Sequence, residues 1–240
     1  MTAARTGSAD IVRALLGRGA DPNAREVSHQ QTALMWAVSN DHPRVVQALI
    51  DYGADVHARS RIRSRVVHTG DRLLDRVSRS LETVNLGGFT PLLFAAREDA
   101  VDSARVLLAA GANVNDTAPT GASALVIAAH SGRGSVAALF LEHRALPNTH
   151  GAGYTALHVA VLRADIELVR TLLASGADPN VQLTKGTPVK YLSQEFALSS
   201  TLAGGASCAA SSSAPRHKGQ AKAMPNAQSA EQAVVTRRLL

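Results

Sequence analysis

Five short phrases recur along the chain: Gly19-Ala20-Asp21-Pro22-Asn23, Gly53-Ala54-Asp55-Val56-His57, Gly111-Ala112-Asn113-Val114-Asn115, Arg144-Ala145-Leu146-Pro147-Asn148 and Gly176-Ala177-Asp178-Pro179-Asn180. A second phrase alternates with them: Thr32-Ala33-Leu34, Thr90-Pro91-Leu92, Ser123-Ala124-Leu125 and Thr155-Ala156-Leu157. It recurs at intervals of 58, 33 and 32 residues, so the first interval reads as one period with an insertion of about 25 residues. Self-similarity at this period marks a chain of stacked supersecondary units, none of which can bury its apolar face alone.

Each phrase has a helical meaning. A Thr such as Thr90 can cap the free N–H groups of a first helical turn, and Pro91 then falls where a missing N–H costs nothing. Leu92, Ala95 and Ala96 follow at helical spacing, and the alanines permit close helix approach. A second helix per unit carries an apolar stripe, as in Ile11, Val12, Leu15 and Leu16, in Val45, Val46, Leu49 and Ile50, and in Ile166, Val169, Leu172 and Leu173. Gly19, Gly53, Gly111 and Gly176 close those helices in a left-handed turn. Arg144 stands once in that place, where a side chain predicts local strain.

The composition suits this reading. Apolar residues make up 45% of the 240 and aromatic residues only 3%, so the core must be built from Ala, Leu and Val. No run of 18 apolar residues predicts a membrane-spanning helix. Met1 to Asp10 lacks the basic-then-apolar order of a signal peptide. Cys208 is the only cysteine, so there is no internal disulfide, no cysteine metal framework, and no compartment to be read from cysteine usage. The net charge of +6 is uneven: residues 59–79 carry 7 Arg against 2 Asp, and residues 203–240 carry 5 basic residues against 1 acidic. The rest is slightly acidic, which does not describe a uniformly basic nucleic-acid binder.

The alternation of Gly-Ala-Asp with Thr-Pro-Leu and Ala-Ala resembles the ankyrin repeat, including multi-repeat bacterial ankyrin proteins. The resemblance covers about residues 1–182. It implies an all-α solenoid of helix-turn-helix units with short β-turn fingers: a partial repeat at 2–24, then repeats at 25–58, 59–116, 117–149 and 150–182. The family's His after Thr-Pro-Leu is kept only at Leu157-His158; Met35, Leu93 and Val126 replace it elsewhere. Ala3-Ala4 matches the end of a first helix, so the array opens in mid-repeat. That leaves Ile11, Val12 and Leu15 as an expected exposed face and suggests a fragment of a longer array. Thr187-Pro188-Val189 imitates the phrase without continuing it, so residues 183–202 read as an irregular partial repeat. Residues 203–240, rich in Ala, Ser, Gln and Lys, read as a disordered or out-of-frame tail.

The insertion near 59–88 begins with Arg59, Arg61, Arg63 and Arg65 alternating with small or aliphatic residues. Leu73, Leu74, Val77 and Leu81 then recur at helical spacing, which predicts a short basic amphipathic helix over Asp71–Leu81. Placed where a finger belongs, the insert is expected to project from the binding side. Two readings stand: a docking element for an acidic partner, or a solvated decoration resting its leucines on the next repeat.

No dinucleotide fingerprint, P-loop, nucleophile elbow or zinc-protease motif is present. His143, His150 and His158 fall on a helix end, a finger and a helix start, so no metal or cofactor is expected. Asn115-Asp116-Thr117 fits a glycosylation sequon, yet the repeat's own Asn position explains it equally well. The resemblance therefore implies a protein-binding, non-catalytic and monomeric module that meets another protein across its finger tips and first helices. The matching variable positions are Arg5, Gln31, Ser39, Asn40, Phe89, Arg97, Glu98, His130, Ser131, Tyr154, Leu162 and Arg163. Phe89 and Tyr154 are expected as anchors, since aromatic and Arg side chains dominate interface energetics, or else as braces of their fingers. Two alternatives are a targeting arm for an enzyme or effector domain outside this chain, and nucleic-acid binding through the Arg-rich insert.

Overall fold

The computed structural model describes residues 1–68, 81–132 and 134–184. Among these residues, ten helices and one strand pair follow in order: α1 Thr2–Arg5, α2 Ala9–Gly17, α3 Ala33–Ser39, α4 Pro43–Asp51, β1 Ile62–His68, β2 Leu81–Gly87, α5 Pro91–Glu98, α6 Val101–Ala109, α7 Ala124–Ser131, α8 Gly134–Glu142, α9 Ala156–Leu162 and α10 Ile166–Ala174. They pack in two rows. The first helices α1, α3, α5, α7 and α9 each touch the next in their row, as do the second helices α2, α4, α6, α8 and α10. The core lies between the rows and is made largely of Ala, Leu and Val, with Ala95, Ala96, Ala128 and Ala129 fully buried. Those methyl groups set the close spacing of α5 and α7.

The caps form where the repeated phrase places them. The hydroxyls of Thr32, Thr90 and Ser123 accept from the N–H groups of Met35, Leu93 and Val126. Only Thr155 gains a reciprocal bond: its N–H donates to Nδ1 of His158 at 3.2 Å, and its hydroxyl lies 2.8 Å from the same atom. The other three first helices keep half of that box, because Met35, Leu93 and Val126 offer no acceptor.

Two left-handed positions recur. The closing residue of each second helix has φ of 87°, 83°, 89° and 88° at Gly19, Gly53, Gly111 and Gly176, and Arg144 adopts 63° in the same role. Arg144 still donates its N–H to Leu141 and Ala145 to Phe140, so the turn is kept despite the side chain. Between the helices of each repeat stand Gly7, Asp41, Asp99, Gly132 and Ala164, all with positive φ. Asp41 and Asp99 use that posture to reach the following repeat. Asp41 Oδ1 accepts from Ser103 N and Oγ at 3.1 and 2.7 Å, and Asp99 Oδ1 accepts from Val136 N at 3.2 Å. The N-cap of α6 is Ala100, which has no capping group of its own, so the previous repeat supplies one.

A second inter-repeat ladder runs through the fingers. Asn23 donates to Gly53 O and accepts from Asp55 N at 2.9 and 2.7 Å, and Asn148 does the same with Gly176 O and Asp178 N at 3.1 and 2.8 Å. Asn115 accepts from Leu146 N at 2.9 Å. His57 occupies the equivalent place in the second repeat, and among the described residues its side chain makes neither bond.

The described part of the insertion is an antiparallel strand pair in which Ile62 faces Gly87, Ser64 faces Asn85 and Val66 faces Thr83. The alternation of Arg59 to Arg65 is thus a period of two, the signature of a strand. The expected helix over Asp71–Leu81 lies outside the described residues, except Leu81, which opens β2 instead of closing a helix. In the expected exposed face of α2, Ile11 and Leu15 are exposed, but Val12 is buried, turned toward the array with Leu16. Thr187-Pro188-Val189 and the 203–240 tail lie outside the described residues.

Candidate functional site

The variable positions gather at the far ends of the first helices. Three clusters form there, each built around an arginine beside a ring. At α1 and α3, the Arg5 guanidinium sits 5.9 Å from the Trp36 ring centre, and Asn40 donates to the Trp36 carbonyl at 2.8 Å. Ser39 lies partly buried beside exposed Asn40 at the end of α3. At α5, Arg97 lies 4.8 Å from the Phe94 ring centre and 5.7 Å from that of Phe89, and it pairs with Glu98 at 2.8 Å. The Arg97 side chain is only 10% exposed, whereas that of Glu98 is 41% exposed. The carboxylate therefore faces solvent and offsets most of the cation's charge.

The third cluster joins α7 and α9. His130 meets Tyr154 edge to face at 6.1 Å between ring centres. A β-carbon at Gly132 would collide with the Arg163 guanidinium, so the glycine makes the notch in which that side chain rests. Burial, reinforced by the Arg163 charge, lowers the His130 pKa to about 4. The imidazole is neutral at ordinary pH, and Arg163 carries the cluster's charge alone. Ser131 donates to Ala128 O at 2.6 Å, which turns its hydroxyl back onto its own helix. Leu162 is 53% exposed beside exposed Arg163.

Gln31 stands apart, in the first finger. There the Glu26 carboxylate accepts from the N–H groups of Ser28, His29 and Gln31. Burial pushes the Glu26 pKa up, but those three bonds outweigh it and hold it below its usual value. The finger is thereby shaped by one charge and three backbone donors, with Val27 at its tip 90% exposed.

Phe89 and Tyr154 do not present their rings. Each is 4% exposed, and Phe89 packs edge to face on Phe94 at 5.7 Å. Their burial favours the bracing reading: the Phe89 ring lies against Arg97 and the Tyr154 ring against His130. Trp36 and Phe94 belong to the same clusters and were missed in the sequence. The sole tryptophan, one turn before Asn40, was the available signal.

Among the described residues no group of three or more His, Cys, Asp or Glu is placed to hold a metal ion. Burial lowers the His158 pKa, with the Val181 backbone opposing it, and its Nδ1 is taken up by Thr155. No helix among them is long and apolar enough to cross a membrane.

A family model described as "Ankyrin repeats (3 copies)" matches residues 1–60 and 92–182, and the gap between the two segments contains the hairpin. The B-cell lymphoma 3 protein homolog of Mus musculus is 30% identical over 208 residues, 86% of this chain and 42% of that protein. A putative ankyrin repeat-containing protein of Treponema pallidum (strain Nichols) is 43% identical over 96 residues, 39% of this chain and 32% of that protein. The probable E3 ubiquitin-protein ligase XBOS33 of Oryza sativa subsp. japonica is 30% identical over 185 residues, 73% of this chain and 31% of that protein. The chain thus spans less than half the length of each of these relatives. They come from an animal, a bacterium and a plant, so the likeness does not single out bacterial arrays.

Proposed function

Because the chain belongs to the ankyrin repeat family, we propose that it binds another protein across the ends of its first helices and its finger tips, and that it acts by binding rather than by catalysis. One observation carries this reading. The ends of successive first helices set exposed side chains beside a held guanidinium: Asn40 where Arg5 meets Trp36, Glu98 where the largely buried Arg97 meets Phe94, and Leu162 beside Arg163, whose guanidinium rests at Gly132. Held guanidinium groups lose less conformational freedom on binding than free ones, which favours the exposed Arg5 and Arg163 as contact points. Asn40, Glu98, Leu162 and Arg163 supply the exposed contacts, with Arg5, Gln31, Ser39 and Ser131 at the margins. Phe89, Tyr154, Arg97 and His130 hold that surface in place from beneath.

Site-specific photocrosslinking tests this. A benzophenone side chain at Asn40 or Leu162 is expected to capture a protein partner, and one at Arg170, on the second-helix row, is not. Equal capture from both rows would remove the first-helix surface as the binding site. A second reading, a targeting arm for a catalytic domain elsewhere in a longer protein, draws support from the ligase name carried by one relative of which this chain spans 31%. A reading frame extended beyond this chain into a catalytic domain is the observation expected from it.

A further inference from the structure

The hairpin of β1 and β2 is the one part of the described array that the repeat itself does not require. Its base is firmly held. Arg59 donates to Gly88 O and Thr117 O, both at 3.0 Å, and pairs with Asp116 at 3.4 Å. On the other side the Arg61 N–H donates to His29 O at 2.6 Å, and Arg63 donates to Ser28 O at 2.7 Å. Above that base the support ends. Among the described residues the sheet has two strands, so each keeps an outer edge. Among the described residues, no backbone bond joins β1 beyond Arg61 to any segment other than β2. A lone two-stranded hairpin is marginal in water, and an open edge is a template for another strand.

The two faces of β1 differ. Ile62, Ser64 and Val66 share one face with Thr83 and Asn85 of β2, and Ile62 and Val66 are 53% and 58% exposed. Arg63 and Arg65 share the other, opposite Leu86 and Val84. Arg65 has no partner among the described residues. A strand laid along β1 would place alternate side chains about 5 Å from these. Those on one face would lie beside Arg63 and Arg65, and those on the other beside Ile62 and Val66. The first finger already begins such an addition: its His29 carbonyl takes the Arg61 N–H, and the run stops there.

We propose that the outer edge of β1 receives an extended acidic segment of a partner protein, in which acidic side chains alternate with β-branched apolar ones. Main-chain bonds would provide the affinity and the two alternating faces the choice of sequence. Arg63 and Arg65 put positive charge along one face of that edge, which complements such a segment. Nucleic acid fits less well. The stretch 59–88 contains no Phe, Tyr or Trp on which a base could stack, and Arg59, Arg61 and Arg63 are engaged with carbonyl oxygens. This surface is separate from the first-helix ends, and its proposal does not depend on them.

The probe is a fluorescein-labelled, acetylated peptide of alternating valine and glutamate, titrated with the full chain and followed by anisotropy. Saturable binding is expected. It should weaken at least about tenfold with Arg65→Glu, which removes no bond among the described residues, and disappear for the same peptide N-methylated at every second residue. A valine–lysine peptide should not bind. The proposal is overturned if the N-methylated peptide binds equally, if Arg65→Glu changes nothing in a protein whose circular dichroism is unaltered, or if a single-stranded oligonucleotide binds more tightly than the peptide. Should Arg65→Glu fail to fold, the N-methylated comparison on the unaltered chain decides alone.

Discussion

Asp41 and Ser103 lie 62 positions apart in the chain, yet one carboxylate oxygen of Asp41 accepts both the N–H and the hydroxyl of Ser103. The insertion lies between them without displacing the contact. The bond caps α6, whose own N-cap is Ala100. Asp41→Ala is expected to lower stability by about 1–2 kcal/mol, the usual cost of a lost cap, with a further contribution from an alanine in the left-handed region. Asp41→Asn should cost much less, because its amide oxygen still accepts and Asn tolerates that backbone. Urea unfolding followed by circular dichroism measures both.

Arg144 is the counterpart case. Its φ of 63° stands where four of the five repeat ends carry glycine, and no side-chain bond is recorded for it among the described residues. Arg144→Gly should therefore stabilise the protein by about 1 kcal/mol. A fall in melting temperature would show that the arginine makes a compensating contact.

His57→Asn is expected to restore the missing rung of the finger ladder. The amide would reach Gly111 O and Asn113 N as Asn23 reaches Gly53 and Asp55. A gain of roughly 1 kcal/mol is expected for two partly exposed bonds, read as a rise in the urea midpoint.

The His130 imidazole gives the fold a defined acid sensitivity. Its pKa falls from 6.5 to about 4 on folding, so the folded state favours the neutral ring. The stability from this preference is complete above about pH 6.5 and is lost as the pH falls toward 4. At full development it amounts to roughly 2–3 kcal/mol, discounted for the part of the ring that meets water. His130→Gln should flatten that part of the stability profile, and an unchanged difference between pH 7 and pH 4 would refute the assignment.

Phe89→Ala should cost about 3–5 kcal/mol, as a buried aromatic does. An exposed anchor would leave stability nearly untouched, so thermal melts separate bracing from anchoring directly.

Much of the architecture was legible because the repeat states it several times. Thr90-Pro91-Leu92, the alanine pairs and the glycine ends each satisfy a local rule, and their recurrence in register makes the fold unambiguous. The strained turn at Arg144 was legible for the same reason, as a departure from a repeated norm. The hairpin was not: a single copy of an alternating arginine run offers no register to compare, and the neighbouring leucines suggested a helix. The candidate surface was half legible. Position along the repeat led to Asn40, Glu98 and Leu162, but the rings that meet Phe89 and Tyr154 come from Phe94 of the helix that follows and His130 of the repeat before. Likewise, the reach of Asp41 to Ser103 joins residues that no local pattern connects.

Arg59 has a mechanical consequence. One guanidinium ties the root of the arm to Asp116 and Thr117, where one repeat passes into the next, while Arg61 ties it to His29 of the first finger. Force applied to the arm is therefore shared between repeats on either side of it, and tension from a captured partner would be borne by the spine of the array rather than by a free hinge.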